Sequence, residues 1–269
     1  MIKIDGVQIN LGHFPDGTML VKYEPRIEQL VRGAKIEWKY ENDTELLGLI
    51  YLVKHLRAFG VDELYLHMPY IPNARQDRVK TYEDIFTLKY FAEIINSLKF
   101  DKVQVLDPHS TVAEALIDRL IVETPKYYIL EVLERIAPND HFKKNITMFY
   151  PDNGAAKRYS DLVTLPYAFG IKRRDWETGK ILGLDVADYH DAIMGNDILI
   201  VDDICSRGGT FLHAAKKLKE LGAKDIYLFV SHCENTILES ELLTSGLIKK
   251  IYTSDSIFTK EHELIEVLK

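Results

Sequence analysis

Two cysteines, Cys205 and Cys233, are all the thiol chemistry that the 269 residues carry. A chain of this length needs no covalent staples, so so few cysteines exclude a disulfide scaffold and point to a reducing compartment. Basic residues are in the minority. The formal net charge of −7 argues against sequence-independent nucleic-acid binding, which needs a basic surface. A small anionic substrate stays open, because local lysines and arginines decide that. No apolar run of about 18 residues suggests a membrane span, and no charged-then-apolar leader opens the chain. The chain therefore reads as cytoplasmic, with no membrane and no nucleic acid among its partners. Low-complexity tracts and long linkers are missing too. What is present is a hydrophobic content of 46%, enough for one large α/β domain or two of ordinary size.

Along the chain, strand-like and helix-like patterns alternate. Met1 to Leu11 reads as a hairpin turning at Asp5-Gly6, and Met19 to Val21 resumes as a strand after a second turn at His13 to Thr18. Lys35 to Tyr40, Glu63 to Met68 and Val103 to Leu106 read as strands. Asn42 to Phe59 and Phe86 to Leu98 read as helices, the first stopped by Gly60. After Pro138-Asn139-Asp140 the alternation restarts with strands at Ile146 to Tyr150, around Ala168 to Ile171, at Ile198 to Val201 and at Ile226 to Val230. A final βα piece is expected, with Ile251-Tyr252 as its strand and Glu261 to Leu268 as its helix. Such alternation predicts parallel sheets with right-handed crossovers. The weakest stretch, Glu134 to Asn145, places a domain boundary at 140/141.

Chemistry concentrates where strands end. In open α/β sheets the crevice beyond the strand C-termini is where ligands bind. Asn73-Ala-Arg-Gln-Asp-Arg-Val-Lys80 follows one strand end and reads either as a solvated charged loop or as an anion site. Asp107-Pro-His-Ser110 follows another, and the His109 imidazole is either a structural hydrogen-bonder or a metal or phosphate ligand. Pro151 to Arg158 is a small-residue loop leading into a helix, and Ile171-Lys-Arg-Arg174 carries three consecutive cations. Trp38 and Trp176 read as packing residues, His232 as a packed histidine, and Cys205 as a small loop residue.

The anchoring stretch is Asp197 to Phe211. Ile198 to Val201 suits a strand buried on both faces. The carboxylates of Asp202 and Asp203 follow, then the loop Ser206-Arg-Gly-Gly-Thr210 opening a helix. Backbone N–H groups at such a helix start bind phosphate, and adjacent carboxylates accept hydrogen bonds from sugar hydroxyls. Phosphate beside vicinal hydroxyls describes a ribose phosphate. A plain strand-to-helix turn with two solvated acids is the alternative.

Several segments, in one order, resemble the ribose-phosphate diphosphokinases (phosphoribosyl-diphosphate synthases), which share the phosphoribosyltransferase-like fold. Phe14-Pro-Asp-Gly-Thr18 resembles their Phe-Ser-Asp-Gly-Glu loop, and Asn73 to Arg78 their Tyr-Ala-Arg-Gln-Asp-Arg segment. Leu106 to Ser110 is similar to their Asp-Leu-His-Ala turn, Pro151 to Arg158 to Pro-Asp-x-Gly-Gly-x-x-Arg, and Ile171 to Arg174 to their Lys-Arg-Arg loop. Val201-Asp-Asp-Ile204 with Gly208-Gly-Thr210 resembles their phosphoribosyl-diphosphate motif. Ser206 and Arg207 depart from the usual Asp-Thr there, so the loop loses an acid and gains a cation.

The resemblance implies an α/β protein of two phosphoribosyltransferase-like domains, each a mainly parallel sheet flanked by helices. Residues 1–140 would form the ATP side and 141–269 the ribose-phosphate side. It implies Mg²⁺-dependent transfer of the β,γ-diphosphoryl group of ATP to the anomeric hydroxyl of ribose 5-phosphate, a step of nucleotide biosynthesis. Phe14, Asp16, Arg75 and Gln76 would bind ATP, with Phe14 stacking on adenine from a neighbouring subunit of a dimer or larger homo-oligomer. His109 and Asp152 would serve the metal, and Asp118 is a weaker third acid. Lys172 and Arg174 would be catalytic. Asp202, Asp203, Ser206, Arg207, Gly208, Gly209 and Thr210 would hold the ribose phosphate. An esterified acceptor such as ADP-ribose, a true phosphoribosyltransferase, and a non-catalytic regulatory homologue are the alternatives that the sequence leaves standing.

Overall fold

The computed structural model describes residues 1–138, 145–174, 181–187 and 192–269, with the backbone alone for 172–174 and 181–184. The chain divides into two compact units, Met1–Thr124 and Pro125–Lys269.

In the first unit, β1 (Ile2–Ile4) and β2 (Val7–Ile9) form the expected hairpin, with Ile4 opposite Val7 across the Asp5-Gly6 turn. β3 (Leu11–His13) and β4 (Met19–Val21) pair only with each other, as a separate antiparallel ribbon. Then come α1 (Ile27–Arg32), β5 (Ala34–Trp38), α2 (Thr44–Ala58), β6 (Leu64–His67), α3 (Thr87–Ser97), β7 (Lys102–Leu106), α4 (Val112–Leu116) and β8 (Leu120–Glu123). The sheet order is β2-β1-β5-β6-β7-β8, with β5 to β8 parallel. α2 buries Leu49, Leu52, Val53 and Leu56 and leaves Leu47 exposed. Trp38 is the packing residue expected. It is fully buried, and its indole N–H donates to the Glu45 carboxylate at 3.0 Å.

The second unit runs α5 (Lys126–Ile136), β9 (Ile146–Tyr150), α6 (Asn153–Tyr159), β10 (Tyr167–Arg174), β11 (Ile181–Ala187), β12 (Asp197–Cys205), α7 (Gly209–Glu220) and β13 (Ile226–Cys233). A short 3₁₀ turn (Asn235–Glu239), α8 (Glu241–Thr244), β14 (Lys250–Ser254) and β15 (Ile265–Leu268) complete it. Its sheet is ordered β11-β10-β9-β12-β13-β14-β15, parallel except at β11. Ile198 to Val201 is buried without interruption, as a β-branched and leucine run covered on both faces should be.

Two expectations are corrected. The units divide at Thr124 and Pro125 rather than at 140/141. The cause is α5, which packs Ile129, Val132 and Leu133 into one cluster with Tyr150, Tyr159 and Phe229 of the second unit. Arg135 further pairs with Glu266 of β15. The closing segment is a strand, not a helix: Ile265 lies opposite Ile251, parallel to β14. The open edge of β14 presents backbone donors and acceptors that a strand satisfies and a helix leaves unpaired. Among the described residues, no helix is long and apolar enough to cross a membrane.

Candidate active site

In the first unit, the chain leaving β6 is pinned by buried Ile71 and Ala74, and this leaves Arg75 and Gln76 exposed at the strand's C-terminal end. The Gln76 side-chain oxygen accepts from the Thr87 hydroxyl at 2.8 Å, which ties the loop to the start of α3. Asp77 between them is buried. It accepts two hydrogen bonds from Arg78, at 2.7 and 2.8 Å, and these hold its carboxyl down at about 2 despite partial desolvation. The half-buried His109, on the turn after β7, lies within electrostatic reach of the same carboxylate. The structure thus brings the 73–80 loop and the 107–110 turn together. Asp118 does not join them. It sits before β8, whose first residues pair with those of β7, at the opposite end of the sheet.

Phe14 and Asp16 occupy the tip of the separate ribbon. The Thr18 amide and hydroxyl donate to Asp16 at 2.9 and 2.7 Å, which lowers the Asp16 carboxyl below its ordinary range. Phe14 is half-exposed and borders a cavity of about 710 Å³ that runs along β4 to Tyr51 and His55 of α2.

In the second unit, Asp152 follows β9 directly and caps α6, with the Ala155 amide donating to it at 3.1 Å. From the last turn of the same helix, Arg158 reaches Asp203 at 3.6 Å. Asp202 is half-buried and accepts from the Asp203 amide at 2.9 Å. Its carboxyl is pushed well above the usual range, first by desolvation, then by the Asp203 carboxylate, with Asp152 adding to the repulsion. Three acids therefore converge where β9 and β12 end.

The loop after them is braced from the far side. Ser206 and Thr236 share a hydroxyl–hydroxyl bond at 3.2 Å, and the Ser240 hydroxyl donates to the Arg207 carbonyl at 2.7 Å. Gly208 opens α7 in the left-handed region, at φ 67°, and no side chain caps the helix start. Gly209 is exposed and Thr210 half-buried beside it, and first-turn amides left without a side-chain cap are donors suited to an anion. Arg207 is largely exposed and lies 3.7 Å from Glu239.

Lys172 and Arg174 belong to the backbone of β10, where the register against β11 shifts between Arg173 and Arg174. Their side chains, and all of Trp176, lie outside the described residues. His232 is packed as expected, buried with Nδ1 2.9 Å from the Ser256 hydroxyl. Cys205 is buried too, its thiol pushed up by hydrogen bonding with Cys233 and by burial, and so unsuited to nucleophilic work. Sequence reasoning passed over Arg158, Asp77 and the bracing pair Thr236 and Ser240. Arg158 closes the Pro151 to Arg158 motif, and that position was its available signal. The braces carry none.

No protein-family model matches the chain. Curated relatives do. One is the ribose-phosphate pyrophosphokinase of Saccharolobus solfataricus, 24% identical over 275 residues, covering 99% of this chain and 90% of the relative. That of Pyrococcus abyssi is 29% identical over 242 residues, covering 84% and 76%. The chain is similar to ribose-phosphate pyrophosphokinases over most of its length. Its fold agrees with that of the phosphoribosylpyrophosphate synthetase from Mycobacterium smegmatis, at a TM-score of 0.77 and 18% identity over 97% of this chain and 85% of that one. The chain thus carries the mainly parallel α/β sheets that its motifs imply, in a fold shared with that synthetase.

Proposed function

We propose that the protein transfers the β,γ-diphosphoryl group of ATP, as a unit, to the anomeric hydroxyl of ribose 5-phosphate, giving 5-phosphoribosyl 1-diphosphate and AMP. The observation that carries this reading is the end of β12, where an acid and the uncapped amides of α7 stand side by side. The amides and Thr210 hold the 5-phosphate, and Asp202 accepts from the ribose hydroxyls. Arg75 and Gln76 hold ATP, with Phe14 and Asp16 serving the adenine of a neighbouring subunit in a dimer or larger assembly. Sedimentation at assay concentration tests that assembly, and a catalytically active monomer speaks against it.

Magnesium fits the residues present. Among the described residues, no three metal-binding side chains form a cage. Magnesium keeps several of its waters and binds through one or two carboxylates and substrate phosphates. Asp152 supplies a hard oxygen donor in a crowd of acids whose repulsion a cation relieves, and His109 contributes through water. When bound, the ion neutralises phosphate charge. Lys172 and Arg174 neutralise the charge that develops on the non-bridging oxygens as the β-phosphorus is attacked. Lys172→Ala is expected to lower kcat by about 10²–10³-fold while ATP still binds, and unchanged turnover refutes the role.

Arg207, exposed at the mouth of the phosphate loop, favours one second reading: an acceptor whose 5-phosphate is esterified, such as ADP-ribose. AMP release, followed by chromatography with ATP, Mg²⁺ and each acceptor in turn, decides between them. Release with neither removes the diphosphokinase reading.

A further inference from the structure

We infer that the turn after β13 aims the phosphate loop, with Thr236 and Ser240 as positioning residues, and that Ser206 serves the loop's shape rather than the phosphate. The inference rests on the function proposed above and deepens the account of that same site.

Hydroxyl protons can be counted. Each hydroxyl has one proton to donate and two lone pairs with which to accept. Thr236 gives its proton to the Glu234 carboxylate, at 3.2 Å. The Ser206 hydroxyl lies 3.2 Å from the same Thr236 oxygen, so Ser206 is the donor of that pair. Its proton is thereby committed to Thr236, and the lone pairs that remain on its oxygen repel a phosphate oxygen. Ser206 therefore works toward the turn, although the motif resemblance puts it among the phosphate's ligands. The anion is left to the first-turn amides of α7 and to Thr210.

Ser240 acts on the next two residues of the loop. Its buried hydroxyl donates to the Arg207 carbonyl at 2.7 Å and accepts from the Leu242 amide at 3.0 Å, where it caps α8. A Cβ on Gly208 would stand 3.0 Å from the same oxygen, so that oxygen sits against the residue that opens α7. The turn itself is firmly seated. Ile237 and Leu242 are buried in the cluster that holds Phe211 and Ala214 of α7. Asn235 is fixed from the other side: its side-chain amide donates to the Thr259 hydroxyl at 2.9 Å, and its oxygen accepts from the Thr259 amide at 3.1 Å. Loop and turn are thus tied to one core. Loss of either hydroxyl lets the loop shift, and hydrogen bonds to a bound phosphate weaken as their distance and angle drift.

Calorimetric titration with ribose 5-phosphate, and steady-state kinetics with ATP, test this on the full chain. Ser240→Ala is expected to weaken ribose 5-phosphate binding about tenfold and the isosteric Thr236→Val about threefold, the range that one neutral hydrogen bond spans. The KM for ATP and kcat stay within about twofold, and Thr236→Ser restores binding. Ser206→Ala matches Thr236→Val, and the two together are no worse than the poorer single variant, because both remove the same bond. The isosteric variant decides the matter even where Ser240→Ala fails to fold. A Ser206→Ala loss well beyond that of Thr236→Val, or losses that multiply, puts Ser206 on the phosphate and overturns the inference. Unchanged binding by Ser240→Ala and Thr236→Val, in a protein whose wild type releases AMP, also overturns it and leaves the reaction standing. A wild type that shows the expected pattern but releases no AMP refutes the reaction and leaves the positioning roles in place. No binding by the wild type overturns both.

Discussion

The two units present their candidate residues in opposite ways. In the second, the groups sit at the ends of regular elements and are braced: Asp202 and Asp203 on β12, Asp152 capping α6, and the 206–210 loop tied by Ser240 and Thr236. In the first, Arg75 and Gln76 are exposed on a loop, and Phe14 is half-exposed on a ribbon that joins no larger sheet. Of the acids grouped there, Asp77 and Asp107 are buried. A two-stranded ribbon is marginal alone, so its geometry depends on what it meets. The second unit's edge is thus the better braced of the two. Substitutions at the braced edge should therefore cost stability and activity together, whereas those at the exposed edge should cost activity alone.

The comparison breaks first at its boundary. Residues 125–269, expressed alone, are expected to unfold cooperatively in urea, whereas residues 141–269 are expected not to fold. α5 buries Ile129, Val132 and Leu133, each worth roughly 1.5–3 kcal/mol. Their sum is comparable with the whole stability of a typical domain. Equal cooperativity of the two pieces, by circular dichroism, returns the boundary to 140/141.

The next contrast sets one substitution in both units. Gly208 and Gly17 each adopt positive φ, 67° and 84°. A Cβ at Gly208 would stand 3.0 Å from Leu242 Cδ2 and from Ser240 Oγ, whereas one at Gly17 meets nothing within 4 Å. Gly208→Ala is expected to cost about 2–3 kcal/mol, strain plus crowding, and to raise the acceptor KM. Gly17→Ala carries the strain alone, about 1 kcal/mol. Matching losses in urea unfolding would show that the phosphate loop is no better braced than the ribbon tip.

Much of this was legible in the residues. The strand-to-helix passage at Ile198 to Leu221 was plain, because a buried apolar run, two acids and a glycine pair each demand a different local structure. The charged segment at Asn73 to Lys80 and the turn at His109 were found by their place after strands. Two things were not legible. α5 was hidden because its value lies in what it packs against, and Tyr150, Tyr159 and Phe229 arrive later in the chain. β15 is four residues long, and its state is decided by the open edge of β14.

The smallest effect sharpens the contrast most finely, because it concerns a buried acid of the first unit's group, Asp77. Asp77 titrates at about 2 in the folded chain against 3.8 for the ordinary residue, chiefly through its hydrogen bonds from Arg78. A carboxyl with a depressed folded-state pKa contributes stability that is complete above its unfolded value and drains away as pH falls toward the folded one. Arg78 is largely exposed, so solvent screens the pair and the contribution is ~1 kcal/mol. Asp77→Asn should therefore unfold at lower urea than the parent at neutral pH. The gap should narrow as pH drops below 3.8 and close only below about 2, once the parent carboxyl is neutral as well. Arg75 and Gln76 stay exposed in either protein, so kcat should fall only as far as the 73–80 loop loosens. A gap that persists unchanged at the acid end would mean that Asp77 holds the loop by shape rather than by charge. The first unit's edge would then be braced in the same sense as the second's.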